Sequence, residues 1–334
     1  MKKIKEMYKK IEEYPRGWPE MVVVLLYLCL RSVVSFFHEP WFDESVAWLI
    51  ARDSSIWDIL FEIPHYEGHP PLWHLILVPF AKTGMPYELS LSSVSLFFTG
   101  TAIFLIEKYA LFPRIVKWIL PFTYFFFYQY SVISRPYSVM MLAIVLLAMA
   151  HKKRNEKPVY YIGALVLLCL TSAYGILIAG GIAFAWLLEI KGKQSILSCI
   201  RAIRQDARLR WLLGLLGFAI CLCMMIVPVG KTSAMQHHFG LGNIKNFAYV
   251  FFVMITDSVF SFVWRNYSFI QFSAIDSLSL FCEGILGLVI LCMIVHYTYK
   301  RQTVGYFIFP YLMFSVFATL AYCCSHHMGI MNYI

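Results

Sequence analysis

Apolar positions in this chain come in long runs rather than in alternation. From position 21 almost to the last residue, stretches of about 20 mostly apolar residues recur, each long enough to cross a bilayer as a helix, with no polar domain between them. Short blocks rich in Lys and Arg interrupt these runs at 1–16, 108–117, 152–157, 191–210 and at Lys300 with Arg301. Basic loops stay in the cytoplasm, so placing every block inside fixes the parity of the crossings between them. The roughly 33 residues between the third and fourth blocks then hold a hairpin of two short helices turning near 171–175.

The pattern as a whole predicts an all-α polytopic membrane protein with helices near 20–37, 88–107, 118–134, 136–151, 158–173, 175–190, 211–228, 277–299 and 303–323. That makes about nine transmembrane helices in a single membrane domain over 1–334, with the N-terminus cytoplasmic. Two stretches are assigned no crossing. Residues 70–84 are short and interrupted by proline, and letting them cross would carry the 152–157 block outside, so they read as a juxtamembrane or re-entrant helix. Residues 244–264 are placed on the outer surface because a crossing there would turn Lys300 and Arg301 outward.

The first extracytoplasmic loop, 38–87, is where the apolar pattern gives way to chemistry. Two short amphipathic juxtamembrane helices are predicted in it, at 43–52 and 56–61, the second opened by Ser55 and Asp58 at capping-box spacing. Asp43, Glu44, His65, Glu67 and His69 crowd this loop against lipid, where ionisable groups are costly and therefore functional suspects. Two plainer readings stand beside that one: an N-cap role for Asp43, and a solvated loop carrying ordinary charges.

Composition sharpens the class. Of 334 residues 60% are hydrophobic and 14% charged, which makes lipid the solvent of most of the chain. The net charge of +9 sits in the short blocks between apolar runs, as topology control produces, so nucleic acid is excluded as the partner. The basic start lacks a small-residue cleavage site after Leu30 and reads as an uncleaved signal anchor in the plasma membrane. The nine cysteines lie mostly within apolar runs without zinc-type spacing and read as packing residues. Histidine supplies an asymmetry not used in setting the topology: only His151 and His296 fall toward the inside, whereas the other eight fall outside or at the outer membrane edge. His237 with His238 lack a third metal partner, and the aromatic run FTYFFFYQY reads as lipid-facing or belt residues rather than a sugar-stacking platform.

The order of an apolar first helix with a late Arg31, then Trp41, Asp43 and Glu44 as W-x-D-E, then His69 to Leu72 as H-P-P-L, resembles the GT-C class of membrane glycosyltransferases. Within it, the match is to the protein O-mannosyltransferase and aminoarabinose transferase-like (glycosyltransferase family 39-like) superfamily. MPYELSLSSVSLFFTG resembles the family's second long helix, SRPYS at 134–138 its S/G-R-x-x tract, and HHMG at 326–329 a late R-H-x-G-like tract. Two departures stand out: the R-L-P-S pattern is replaced by Leu89, Ser90, Leu91 and Ser92, and Ser325 stands before the paired histidines where Arg is usual. The end at Ile334, soon after an outer-edge motif, implies a shortened member.

The resemblance implies transfer of a sugar from a polyprenyl-phosphate carrier to a glycan, lipid or protein acceptor on the extracytoplasmic side. Asp43 is then the candidate base for the acceptor hydroxyl, and Glu44 orients it, binds acceptor or helps hold a divalent cation, no cofactor being firmly implied. His69, Arg135, His326 and His327 are candidates for holding the phosphate, with His65 and Glu67 as secondary candidates. Arg135 also reads as a snorkelling interfacial residue, and either His of the pair as an interfacial hydrogen-bonding group. The runner-up function is a transporter or flippase for lipid-linked glycans, which calls for midplane ionisable groups on broken helices and an internal repeat. A structural membrane subunit without chemistry comes third.

Overall fold

A computed structural model of the chain describes residues 17–192, 198, 201–227, 241–260, 274–321, 323 and 325–334. Every regular element among the described residues is helical. Five helices are long and apolar enough to span a bilayer: Trp18–Phe36 (α1), Tyr87–Tyr109 (α6), Ala173–Lys191 (α10), Ala207–Ile226 (α11) and the Leu278–Lys300 part of Ala274–Lys300 (α14). Between them lie Phe42–Asp53 (α2), Ile56–Phe61 (α3), Ile63–Glu67 (α4), Leu72–Lys82 (α5), Arg114–Ile119 (α7), Tyr137–His151 (α8) and Pro158–Cys169 (α9). Leu241–Ala248 (α12), Met254–Phe260 (α13) and Val304–Leu320 (α15) complete the α-helices.

The long helices leave apolar side chains outward. On α14, Leu278, Phe281, Ile285, Leu288, Val289 and Met293 are exposed, and α1 does the same with Val22, Leu25, Leu26 and Val33. Rows of exposed apolar side chains on helices of this length are what a lipid solvent stabilises and water does not. Five such helices are compatible with a multi-pass helical membrane protein. Of the nine predicted crossings, five meet the length and hydropathy needed, while α8, α9 and α15 are shorter apolar helices.

Contacts divide the chain into two compact units, Met1–Ile63 with Pro71–Lys152, and Pro64–Pro70 with Lys153–Ile334. In the first, α6 packs on α1 and α8, and α2 packs on α5. The stretch expected to be one helix at 118–134 is instead three pieces: α7, a 3-10 turn Leu120–Phe122 at Pro121, and a π-helix Phe125–Val132. The π-helix stops at Val132, Ile133 is extended, and Pro136 caps the start of α8. Pro136 cannot donate to a helical ladder, and it biases Arg135 away from helical backbone, so the break falls where the sequence requires it.

In the second unit α10 packs against α15 and α9 against α10 and α11. Gly181 makes the α10–α15 approach possible, because a Cβ there would collide with the Pro310 backbone. Asp206 caps α11 by accepting the Arg208 N–H at 2.8 Å, and hydrogen bonds from the Arg208 side chain hold its carboxyl below the ordinary carboxylate range. The 244–264 stretch, expected on the outer surface of the membrane, is helical over its described residues, 244–260. Leu241–Ala248, the π-helix Tyr249–Val253 and Met254–Phe260 run as one helical segment packed against α14 and α15, with Met254 and Ile255 buried and Tyr249 donating to Asp257 at 2.9 Å. Residues 261–264, and His237 with His238, lie outside the described residues.

Candidate functional site

The loop after α1 turns at Pro40 into α2, which begins one residue before the predicted 43–52 helix. Its N-cap is Trp41, so Asp43 occupies the first turn and is not the cap. The capping work falls to Glu44, three residues on, whose Oε2 accepts the Trp41 N–H at 2.8 Å. The same oxygen lies 2.9 Å from His38 Nε2, and Oε1 accepts the Ser134 N–H at 2.7 Å. Glu44 is 1% exposed. A carboxylate so deeply buried stays there only when its lone pairs are met, and here three donors, two from the loop before α2 and one from the chain break at Ser134, meet them.

Asp43, on the next position of the same turn, points elsewhere. Consecutive residues on a helix diverge by about 100°, and Asp43 Oδ2 receives Arg135 Nη1 at 2.7 Å while 45% exposed. Arg135 is 11% exposed, with its guanidinium 5.5 Å from the Tyr137 ring. The Ile133–Pro136 break thus does two things at once. It frees the Ser134 N–H for Glu44, and it carries Arg135 to Asp43. An ion pair with one half-exposed member contributes roughly 0 to 1 kcal/mol, too little for stability to explain its placement.

Also within the first unit lies a buried polar network, which the sequence pattern does not predict. Arg31 on α1 is fully buried and donates to Ser92 Oγ at 2.6 Å, to the Ser131 carbonyl at 2.5 Å and to Ser131 Oγ at 3.2 Å. Tyr27 and Ser95 also bond to Ser131, each at 2.7 Å. The π-helix carbonyl at Ser131 is available to side chains because the helix ends there. Ser92, in the stretch where the resembled family carries Arg, serves here as an acceptor for Arg31. The signal that could have found the network is an Arg within an apolar span, since insertion of Arg at a span centre costs about 2.5 to 3.5 kcal/mol unless it is satisfied.

The remaining candidates belong to the second unit. His65 Nδ1 lies 2.7 Å from the Val227 carbonyl. Glu67 ends the short helix α4, and His69 sits in the turn that follows. His326 and His327 stand in a 3-10 helix Ser325–Tyr333 with ring centroids 4.0 Å apart; His327 is 2% exposed, and its Nδ1 is 3.3 Å from the Tyr174 hydroxyl. Asp43, Glu44 and Arg135 are thus gathered in one unit, and His65, Glu67, His69, His326 and His327 belong to the other.

No group of three His, Cys, Asp or Glu among the described residues is arranged to hold a metal. The donors at Asp43 and Glu44 do not fit a divalent cation. Both oxygens of Glu44 are engaged by N–H groups, and Asp43 faces a guanidinium that would repel one. No family model matches the chain, and neither a curated protein nor a solved structure matches it.

Proposed function

We propose that the chain is a membrane glycosyltransferase of the GT-C type that moves a sugar from a polyprenyl-phosphate donor to an acceptor hydroxyl outside the plasma membrane. The observation that carries the reading is the Asp43–Arg135 pair, a half-exposed carboxylate and a cation held at 2.7 Å by a buried scaffold centred on Glu44. Such a pair supplies both charges the reaction needs. Asp43 takes the proton of the acceptor hydroxyl as its oxygen bonds to the anomeric carbon. The bond from that carbon to the phosphate oxygen breaks, and Arg135 meets the charge of the departing polyprenyl phosphate. Glu44 is a positioning residue in this scheme. The nine-span topology, with the first loop extracytoplasmic, belongs to the same proposal.

The test is transfer from polyprenyl-phosphate sugars by the purified protein. Asp43→Asn is expected to lower turnover by about 10²- to 10⁴-fold, the usual cost of losing a general base. Wild-type turnover in that variant would remove Asp43 as the base. One observation favours the transporter reading: a helix broken at Ile133–Pro136 beside the buried Arg31 has the form of discontinuous transporter helices. Passage of a labelled lipid-linked glycan across vesicles, unaffected by Asp43→Asn and without sugar transfer, would establish it.

A further inference from the structure

The first unit holds a second polar site at the other end of the same helices. Arg31 and Ser92 meet at one level, so the rise of an α-helix puts Glu20 on α1 and Glu107 on α6 roughly 17 and 22 Å away from them along the axes. There Glu20, Met21, Val24, Phe104, Glu107 and Lys108 line a cavity of about 310 Å³. The two carboxylates differ in their partners. Glu20 receives Arg114 at 2.6 and 2.8 Å and the Gly17 N–H at 2.8 Å. Glu107 is 2% exposed, and neither of its carboxylate oxygens has a hydrogen-bond partner among the described residues. Lys117 Nζ goes to the Glu107 main-chain carbonyl, at 2.8 Å, and not to its carboxylate.

A buried carboxylate with both oxygens unmet, at the wall of a cavity, calls for a donor that enters the cavity. The rest of the wall defines the donor. Lys108 is exposed at the rim, its ammonium 5.5 and 5.2 Å from the Phe104 and Tyr109 rings, and offers a point cation to an anion beside the donor. Met21 lines the cavity and is also 40% exposed, beside the outward apolar residues Val22 and Leu25, so the cavity adjoins the lipid-facing surface of α1. Carboxylate, lysine and apolar wall match, in that order, an ammonium, a phosphate and an acyl chain. A quaternary ammonium has no N–H to give Glu107, and a soluble amine would make no use of the apolar wall.

We propose that this cavity binds the headgroup of a zwitterionic aminophospholipid, with its primary ammonium on the Glu107 carboxylate and its phosphate on Lys108. The inference is independent of the Asp43 reading and stands or falls separately.

The experiment is native mass spectrometry of the purified full chain with phosphatidylethanolamine, phosphatidylcholine and phosphatidylglycerol of matched acyl chains. Phosphatidylethanolamine is expected to be retained at least about tenfold better than the other two, the equivalent of one charged hydrogen bond. Glu107→Gln, nearly isosteric and neutral, is expected to erase that preference, and Lys108→Gln to weaken retention while leaving the fold intact. Equal retention of the three lipids by the wild type, or an undiminished preference in Glu107→Gln, would overturn the proposal. Displacement of bound phosphatidylethanolamine by millimolar free phosphoethanolamine would overturn the lipid as its source. Should Glu107→Gln not fold, the wild-type selectivity and the Lys108→Gln comparison decide the matter.

Discussion

Asp43 and Glu44 are neighbours with different environments, and the difference separates chemistry from architecture. Glu44 spends its carboxylate on Trp41, Ser134 and His38, so Glu44→Gln, which keeps the size but turns one acceptor oxygen into a donor, is expected to cost about 1 to 3 kcal/mol. Denaturant unfolding in detergent measures it, and Asp43→Asn in the same assay is expected to stay within about 1 kcal/mol because its ion pair is half exposed. Equal losses in the two variants would contradict the division of roles. Part of this was readable beforehand: Asp43 stood out as an ionisable group pressed to lipid, although the N-cap role read for it falls instead on Trp41 and Glu44. The Ser134 contact was not readable, because a backbone N–H freed by a helix break leaves no residue-type signature 90 positions away.

Helices α2 and α3 were legible because their signals are local. Ser55 and Asp58 make the reciprocal cap their spacing implies, at 3.1 and 3.2 Å, and the apolar periodicity fixed the extent of both helices to within a residue or so. The π-helix at Phe125–Val132 was illegible, since FFFYQYSV is equally apolar in either helical form and only Ser131, meeting Tyr27, Arg31 and Ser95, reveals why the wider turn is kept. Helix contact can be tested where the backbones come closest. Gly181→Val places a side chain against the Pro310 backbone, and overpacking of this kind is expected to cost about 1 to 3 kcal/mol, or more if α15 cannot shift. A lowered melting temperature of the detergent-solubilised protein is the expected reading, and an unchanged one would mean that α10 and α15 separate freely.

At the scale of the molecule, the apolar runs and basic blocks were enough to foresee a helical membrane protein. They were not enough to count its crossings, because length alone cannot say whether an 11-residue helix such as α5 or a helical segment such as 241–260 traverses the bilayer. The basic blocks make one claim that can be checked directly. A single cysteine replacing Lys153, in a cysteine-free background, is expected to resist an impermeant maleimide in intact cells and to react after permeabilisation. Labelling in intact cells would overturn the parity argument, because residues 70–84 would then cross and carry the 152–157 block outside.

The bond between Glu44 and Ser134 also sets a schedule. Synthesis is vectorial, so Glu44 enters the membrane region long before Ser134 has been translated, and its buried carboxylate waits for a partner that does not yet exist. Until then water, lipid headgroups or the insertion machinery must tend that charge. The Asp43–Arg135 pair can come together only once the ribosome has passed the Ile133–Pro136 break and the π-helix has docked behind it. Nascent chains arrested before that point would carry α2 without its anchor, a window in which quality control could tell an unfinished protein from a finished one.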